Sequence, residues 1–81
     1  MKTVTREQFT IESELEVVHV PTGIMFSTYP YSDPDDRVRS MTTSRRPTDE
    51  SEIIEGYAYQ DISRMAAEIL LEQAQQKGSG A

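Results

Sequence analysis

The feature that most constrains the fold is the turn signal Val20-Pro21-Thr22-Gly23-Ile24. Proline at position 21 presets the φ angle of the second turn position. Glycine at position 23 tolerates the left-handed conformation that a type I turn with a G1 bulge requires. Both flanks are rich in β-branched and aromatic residues, which favour strands. The pattern therefore predicts a β-hairpin over residues 9–31.

Within this hairpin the turn sets the register and the faces. The first strand is expected to run from Phe9 to Val20, with period-two alternation. If Val20 lies opposite Ile24, then Val18 lies opposite Phe26, and residues directly opposite share a face. We expect this apolar face, Val18, Val20, Ile24 and Phe26, to contact a protein partner, and the alternative is that the chain's own remaining segments cover it. The even positions of the first strand give an acidic face, which comprises Glu12, Glu14 and Glu16.

Residues 32–52 are polar and contain a reversal of charge. Prolines and aspartates end the second strand at about Tyr31. We predict a loop over 32–52 that is either functional or disordered, with a short edge strand near 38–42 as the ordered alternative. Residues 37–46 hold half of the basic residues and no acid. The candidates for contact with nucleic-acid phosphates are Arg37, Arg39, Arg45 and Arg46.

The C-terminal part predicts an amphipathic helix over residues 61–77. Asp61 is a suitable N-cap, and apolar residues recur at helical spacing from Ile62 onward. Lys77 suits the C-terminal end of the helix dipole, and Gly78 is expected to end the helix. Residues 78–81 are predicted to form a flexible tail.

Residues 51–59 are ambiguous in the sequence. Asp49 followed by Glu52 resembles a capping box and would begin one long helix. Against this, Ile53 and Ile54 are β-branched and Gly56 costs about 1 kcal/mol inside a helix. We therefore favour a third antiparallel strand here.

Composition limits how such a chain can be stabilised. A single domain of 81 residues, of which 36% are apolar, has a thin core. Small scaffolds of this kind usually need a disulfide, a metal or a partner subunit. There is no Cys and only one His, so neither a disulfide nor an ordinary zinc site is expected, and no cofactor is predicted. The expected partner is another protein or a second copy of this chain.

The same composition disfavours several functions. His19 is predicted to be a partly exposed residue opposite Met25, with no cysteine and no phosphate-binding loop to act with it, so we do not expect an enzyme. A net charge of −6 disfavours non-specific binding to nucleic acid or anionic membranes. The sequence contains neither an apolar run of the ~20 residues that a membrane span needs nor a signal-peptide core, so a cytoplasmic location is expected.

Taken together, these patterns predict an α+β fold, in which a small antiparallel sheet packs against one C-terminal amphipathic helix. The leading functional hypothesis is a non-enzymatic interaction module that self-associates or belongs to a complex. The alternatives are nucleic-acid binding through residues 37–46, and an acidic inhibitor that mimics nucleic acid through residues 12–16.

Overall fold

The part of the chain that the structure describes folds into two antiparallel sheets and two α-helices. This computed structural model describes residues 1–49 and 51–79. In chain order the elements are a 3-10 helix (Arg6–Gln8), β1 (Phe9–Ser13), β2 (Glu16–His19), β3 (Ile24–Ser27), α1 (Pro34–Arg39), β4 (Thr42–Thr43), β5 (Ile53–Ile54), β6 (Tyr57–Ala58) and α2 (Tyr59–Ser79).

The main sheet has four antiparallel strands in the order β1-β2-β3-β4. The long helix α2 packs against one face of this sheet. The α+β class and the packing of an antiparallel sheet on a C-terminal helix are thus confirmed. Within residues 1–49 and 51–79, no helix packs against the other face of the sheet.

The segment predicted as one strand from Phe9 to Val20 is two strands, so that prediction is wrong. The chain reverses at Glu14 and Leu15, and β1 pairs with β2. The Leu15 N–H donates to the Ser13 hydroxyl at 3.2 Å, a local bond that competes with a continuous strand. A β-bulge lies between Ile11 and Ser13.

The turn between β2 and β3 has the predicted glycine but a different length. Gly23 adopts the left-handed conformation, with φ at +72°. The loop holds four residues, because the N–H groups of Thr22 and Gly23 both donate to the His19 carbonyl, at 3.2 and 2.7 Å. The strands therefore close at His19 opposite Ile24, one residue away from the predicted register. A shift of one residue moves every side chain to the opposite face.

The core lies between α2 and the inner face of the sheet. Val17, Ile24 and Phe26 point from β2 and β3 into this layer. Fully burying an apolar side chain of this size contributes roughly 1.5–3 kcal/mol. The helix contributes a stripe with spacings of three and four residues, and this stripe comprises Ile62, Ala66, Ile69, Leu70 and Ala74.

The predicted loop over 32–52 is partly regular, so that prediction is also corrected. The Asp33 carboxylate accepts the Asp35 N–H at 2.9 Å and caps α1, and Pro34 occupies the first turn. Thr42–Thr43 then adds β4 to the edge of β3. This strand overlaps the predicted edge strand over 38–42 only at Thr42, because residues 38 and 39 belong to α1. Glu50 lies outside the described residues.

The predicted third strand over 51–59 is wrong, because residues 53–58 form a separate two-stranded hairpin and Tyr59 begins α2. Glu55 and Gly56, at φ of +53° and +88°, make the left-handed turn between β5 and β6. Lys2 attaches to this turn, since its N–H donates to the Gly56 carbonyl at 2.8 Å.

The helix α2 is longer than predicted at both ends. It begins at Tyr59, so Asp61 lies in its first turn and is not its N-cap. It continues to Ser79, past the glycine at position 78 that was expected to end it. Of the predicted tail, residues 80 and 81 lie outside the described residues.

Candidate functional site

The sheet face opposite α2 is a regular surface that α2 does not cover. Val18 and Met25 are directly opposite each other on β2 and β3. Their neighbours along both strands are buried against α2, so strand alternation directs Val18 and Met25 away from the helix. We call this surface the outer face; it comprises Thr10, Glu16, Val18, Val20, Met25, Ser27, Thr42 and Ser44.

Three apolar residues form a strip along the outer face: Val18, Val20 and Met25. Val20 is 61% exposed, and its N–H donates to the Gln8 carbonyl at 2.9 Å, which continues the ladder beyond β2. Met25 is fixed by two bonds to Ser44, from its N–H to the hydroxyl and from the Ser44 N–H to its carbonyl, each at 2.9 Å. We call these three residues the apolar strip. Antiparallel sheets with one open face normally present polar residues there, so the strip is an exception.

The two ends of the outer face carry opposite charges. Glu14 and Glu16 lie at the turn between β1 and β2, which we call the acidic end. Because β4 runs antiparallel to β3, Ser44 leads the chain toward the other end, where Arg45 and Arg46 follow. Arg45 pairs with Glu52 at 3.3 Å, whereas Arg46 is exposed and forms no ion pair within residues 1–49 and 51–79.

The predicted contact patch is not a single surface. Ile24 and Phe26 are buried in the core, whereas Val18 and Val20 belong to the outer face. The four-residue loop explains the difference, because it changes the register by one residue. The predicted patch did not include Met25. A four-residue loop places Met25 directly opposite Val18, whereas the predicted three-residue loop places Phe26 there.

The predicted acidic face is also divided. Glu12 lies at the bulge of β1, Glu14 in the turn and Glu16 in β2. A row of carboxylates along one strand face requires a continuous strand, and the reversal at Glu14 removes it. The geometric basis for mimicry of a nucleic-acid strand is therefore lost.

The candidate arginines of residues 37–46 are mostly engaged within the chain. The Arg37 Nε donates to the Tyr31 carbonyl, and Arg39 pairs with Asp36 at 3.2 Å. Arg45 pairs with Glu52, as described above. Nucleic-acid binding through Arg37, Arg39, Arg45 and Arg46 stays a prediction that no contact here favours.

His19 is fully buried, so the prediction of a partly exposed side chain is wrong. Its ring lies 4.8 Å from the Phe9 ring and 4.9 Å from the Tyr57 ring, between centroids. Its two nitrogens contact the Thr22 hydroxyl and the Gln8 side-chain oxygen, both at 2.8 Å. Burial lowers the pKa of the His19 imidazole.

The hydroxyl–imidazole–carboxamide chain at His19 resembles the order of groups in a nucleophilic site. A substrate would need to reach the hydroxyl and the ring, however, and the ring is enclosed. The Thr22 hydroxyl also accepts the Ile24 N–H at 3.4 Å, within the turn itself. The arrangement therefore fixes the turn between β2 and β3.

A shallow groove of about 330 Å³ lies between the first four residues and the N-terminal half of α2. Its carboxylates are Asp61 and Glu68, and its walls also include Arg64 and Met65. Within the described residues, no three His, Asp, Glu or Cys side chains are grouped so that they could hold a metal ion.

In the part of the chain that the structure describes, no helix combines the length and the apolar character needed to cross a membrane. No protein-family model matches this chain, and neither the curated proteins nor the solved structures give a match.

Proposed function

We propose that this chain is a non-enzymatic, cytoplasmic interaction module that pairs with a second copy of itself through its outer face. The observation that carries the proposal is the apolar strip. Val18 and Met25 lie side by side on a sheet face that α2 leaves open, and Val20 continues their row. Covering such a strip removes apolar surface from water, which is the main favourable term in protein association.

The charges at the two ends of the outer face favour a second copy as the partner. The acidic end and the arginines that follow Ser44 lie at opposite ends of the outer face. A two-fold axis through the strip brings Glu16 of each copy to Arg46 of the other. The arrangement is self-complementary, and such complementarity fixes the register of an interface.

The hydroxyl groups around the strip are compatible with this interface. Thr10, Ser27, Thr42 and Ser44 surround it, and none of them carries charge. Interfaces commonly combine an apolar centre with a polar rim, and charged residues are depleted at the centre. Among the strand residues of the outer face Glu16 carries a charge, and it lies at the acidic end rather than in the apolar strip.

The test is the solution mass measured by light scattering over a concentration series. Wild-type chain is expected to approach twice the monomer mass as concentration rises. Met25→Glu, which places a carboxylate in the centre of the strip, is expected to remain monomeric. Ile53→Glu is the control for the added carboxylate, because Ile53 is an exposed apolar strand residue, at 57%, that lies on β5, outside the main sheet, whereas Met25 is half-buried.

Circular dichroism of both variants checks that each is folded. A wild-type chain that remains monomeric throughout would overturn the proposal. So would a folded Met25→Glu variant that dimerises as well as Ile53→Glu, because the strip would then not be the contact surface.

A further inference from the structure

A second exposed surface lies at Tyr29 and Tyr31, in the segment that follows β3. Their side chains are exposed, at 56% and 51%, and the ring centroids are 6.1 Å apart. Pro30 between them is exposed as well. Tyrosine is enriched at protein interfaces, because its ring offers a large contact area with a polar tip and little conformational entropy to lose.

The backbone that carries these rings is held in place from both sides. The Tyr31 N–H donates to the Tyr29 carbonyl at 2.8 Å, which forms a γ-turn around Pro30. The Arg37 side chain of α1 donates to the Tyr31 carbonyl. Thr28, one residue earlier, is attached to the acidic end by a 2.9 Å bond from its N–H to the Leu15 carbonyl. A surface fixed in this way loses little freedom when it binds.

The charges around the tyrosines are mainly negative. The bond from Thr28 holds the residue before Tyr29 at the turn that carries Glu14 and Glu16, and the exposed residues Asp33 and Asp35 follow Tyr31 in sequence. Two cations lie on α1. Arg39 pairs with Asp36, whereas Arg37 is half-buried and directed at the Tyr31 carbonyl.

We infer that Tyr29 and Tyr31 bind an extended, arginine-bearing segment of another protein. Guanidinium groups stack on tyrosine rings, and the neighbouring carboxylates attract them. Proline-containing segments fit exposed aromatic pairs, because their polyproline conformation is already extended. Nucleic acid fits poorly, since its phosphates would approach Asp33, Asp35 and the acidic end.

The experiment measures fluorescence anisotropy of a labelled short peptide of alternating arginine and proline. It uses Met25→Glu protein, in which the tyrosines are unchanged, so that the result does not depend on self-association. Replacing both tyrosines by alanine is expected to weaken binding roughly tenfold. Tyr31→Phe, which keeps the ring, is expected to bind within about twofold of its parent.

Two further comparisons, one with a carboxylate variant and one with anionic probes, test whether the tyrosines select a positively charged segment. Asp35→Asn removes a carboxylate but keeps the N–H that Asp33 accepts, so binding should weaken and become less sensitive to salt. A glutamate–proline peptide and an oligothymidylate are expected to bind more weakly than the arginine peptide. Equal binding by the double alanine variant, or tighter binding of either anionic probe, would overturn the inference.

Discussion

At the scale of single residues, His19 is the side chain whose environment differs most from the sequence prediction. The Gln8 side-chain oxygen also accepts the Thr5 N–H, at 3.3 Å, so it acts as an acceptor toward the ring. The neutral imidazole therefore donates from Nε2 to Gln8 and accepts the Thr22 hydroxyl proton at Nδ1. Protonation would require that hydroxyl to rotate, and it would place a charge between two aromatic rings.

This environment predicts a pH dependence of stability. The lowered pKa means that the unfolded chain binds a proton at His19 more readily than the folded chain does. The free energy of unfolding should therefore fall as the pH drops below about 6.5, the pKa of an unperturbed histidine. Urea denaturation between about pH 7.5 and 5.5 measures this.

His19→Gln keeps a polar side chain but does not titrate, so it serves as the control for the pH series. Its free energy of unfolding should change less over the same interval than that of the wild type. If the free energy of unfolding changes with pH equally in the two proteins, the pH dependence does not come from His19.

At the scale of elements, the hairpin turns between β2 and β3 and between β5 and β6 both depend on left-handed residues, but to different degrees. Gly23 and Gly56 both have positive φ, and an added Cβ at Gly23 would meet no atom within 4 Å. At Gly56 the Cβ would come within 3.2 to 3.4 Å of three Lys2 side-chain carbons. We predict that Gly23→Ala costs about 1–2 kcal/mol through backbone conformation alone, and that Gly56→Ala costs at least as much.

Thermal denaturation of both variants tests this prediction. In a domain of this size, a loss of 1 kcal/mol lowers Tm by roughly 4–8 °C. A Gly56→Ala variant with wild-type Tm would show that the turn between β5 and β6 does not need a left-handed residue.

The elements also show how far the sequence determines the fold. The stripe on α2 and the glycine of the turn between β2 and β3 were predictable, because helical spacing and left-handed backbone leave local marks. The reversal at Glu14 was not, because Glu14 and Leu15 are not typical turn residues and the apolar alternation continues across them. Which side chains form the candidate site depended on the register of β2 against β3. That register depended on whether the loop between these strands held three residues or four.

At the scale of the whole molecule, the proposed pairing predicts a pattern among charge variants. Arg46→Glu and Glu16→Arg each place like charges together at both ends of the two-fold interface. Exposed ion pairs contribute about 0.2–1 kcal/mol each, so each variant alone should weaken self-association roughly fivefold.

An equimolar mixture of the two variants restores opposite charges at both ends. The mixture should therefore form a heterodimer more readily than either variant forms a homodimer, as measured by sedimentation velocity. If the heterodimer forms no more readily in the mixture than the two homodimers do, a contact between Glu16 and Arg46 is excluded.

The bulge in β1 has a consequence for how large an assembly can grow. Sheets can lengthen without limit when a straight, uncharged edge strand pairs with the next molecule. Here one edge is interrupted by the bulge and carries Glu12, and the other, β4, is only two residues long. Copies that meet through their faces rather than these edges form a closed pair, so the protein is expected to stay free of fibres even at concentrations at which the pairing is complete.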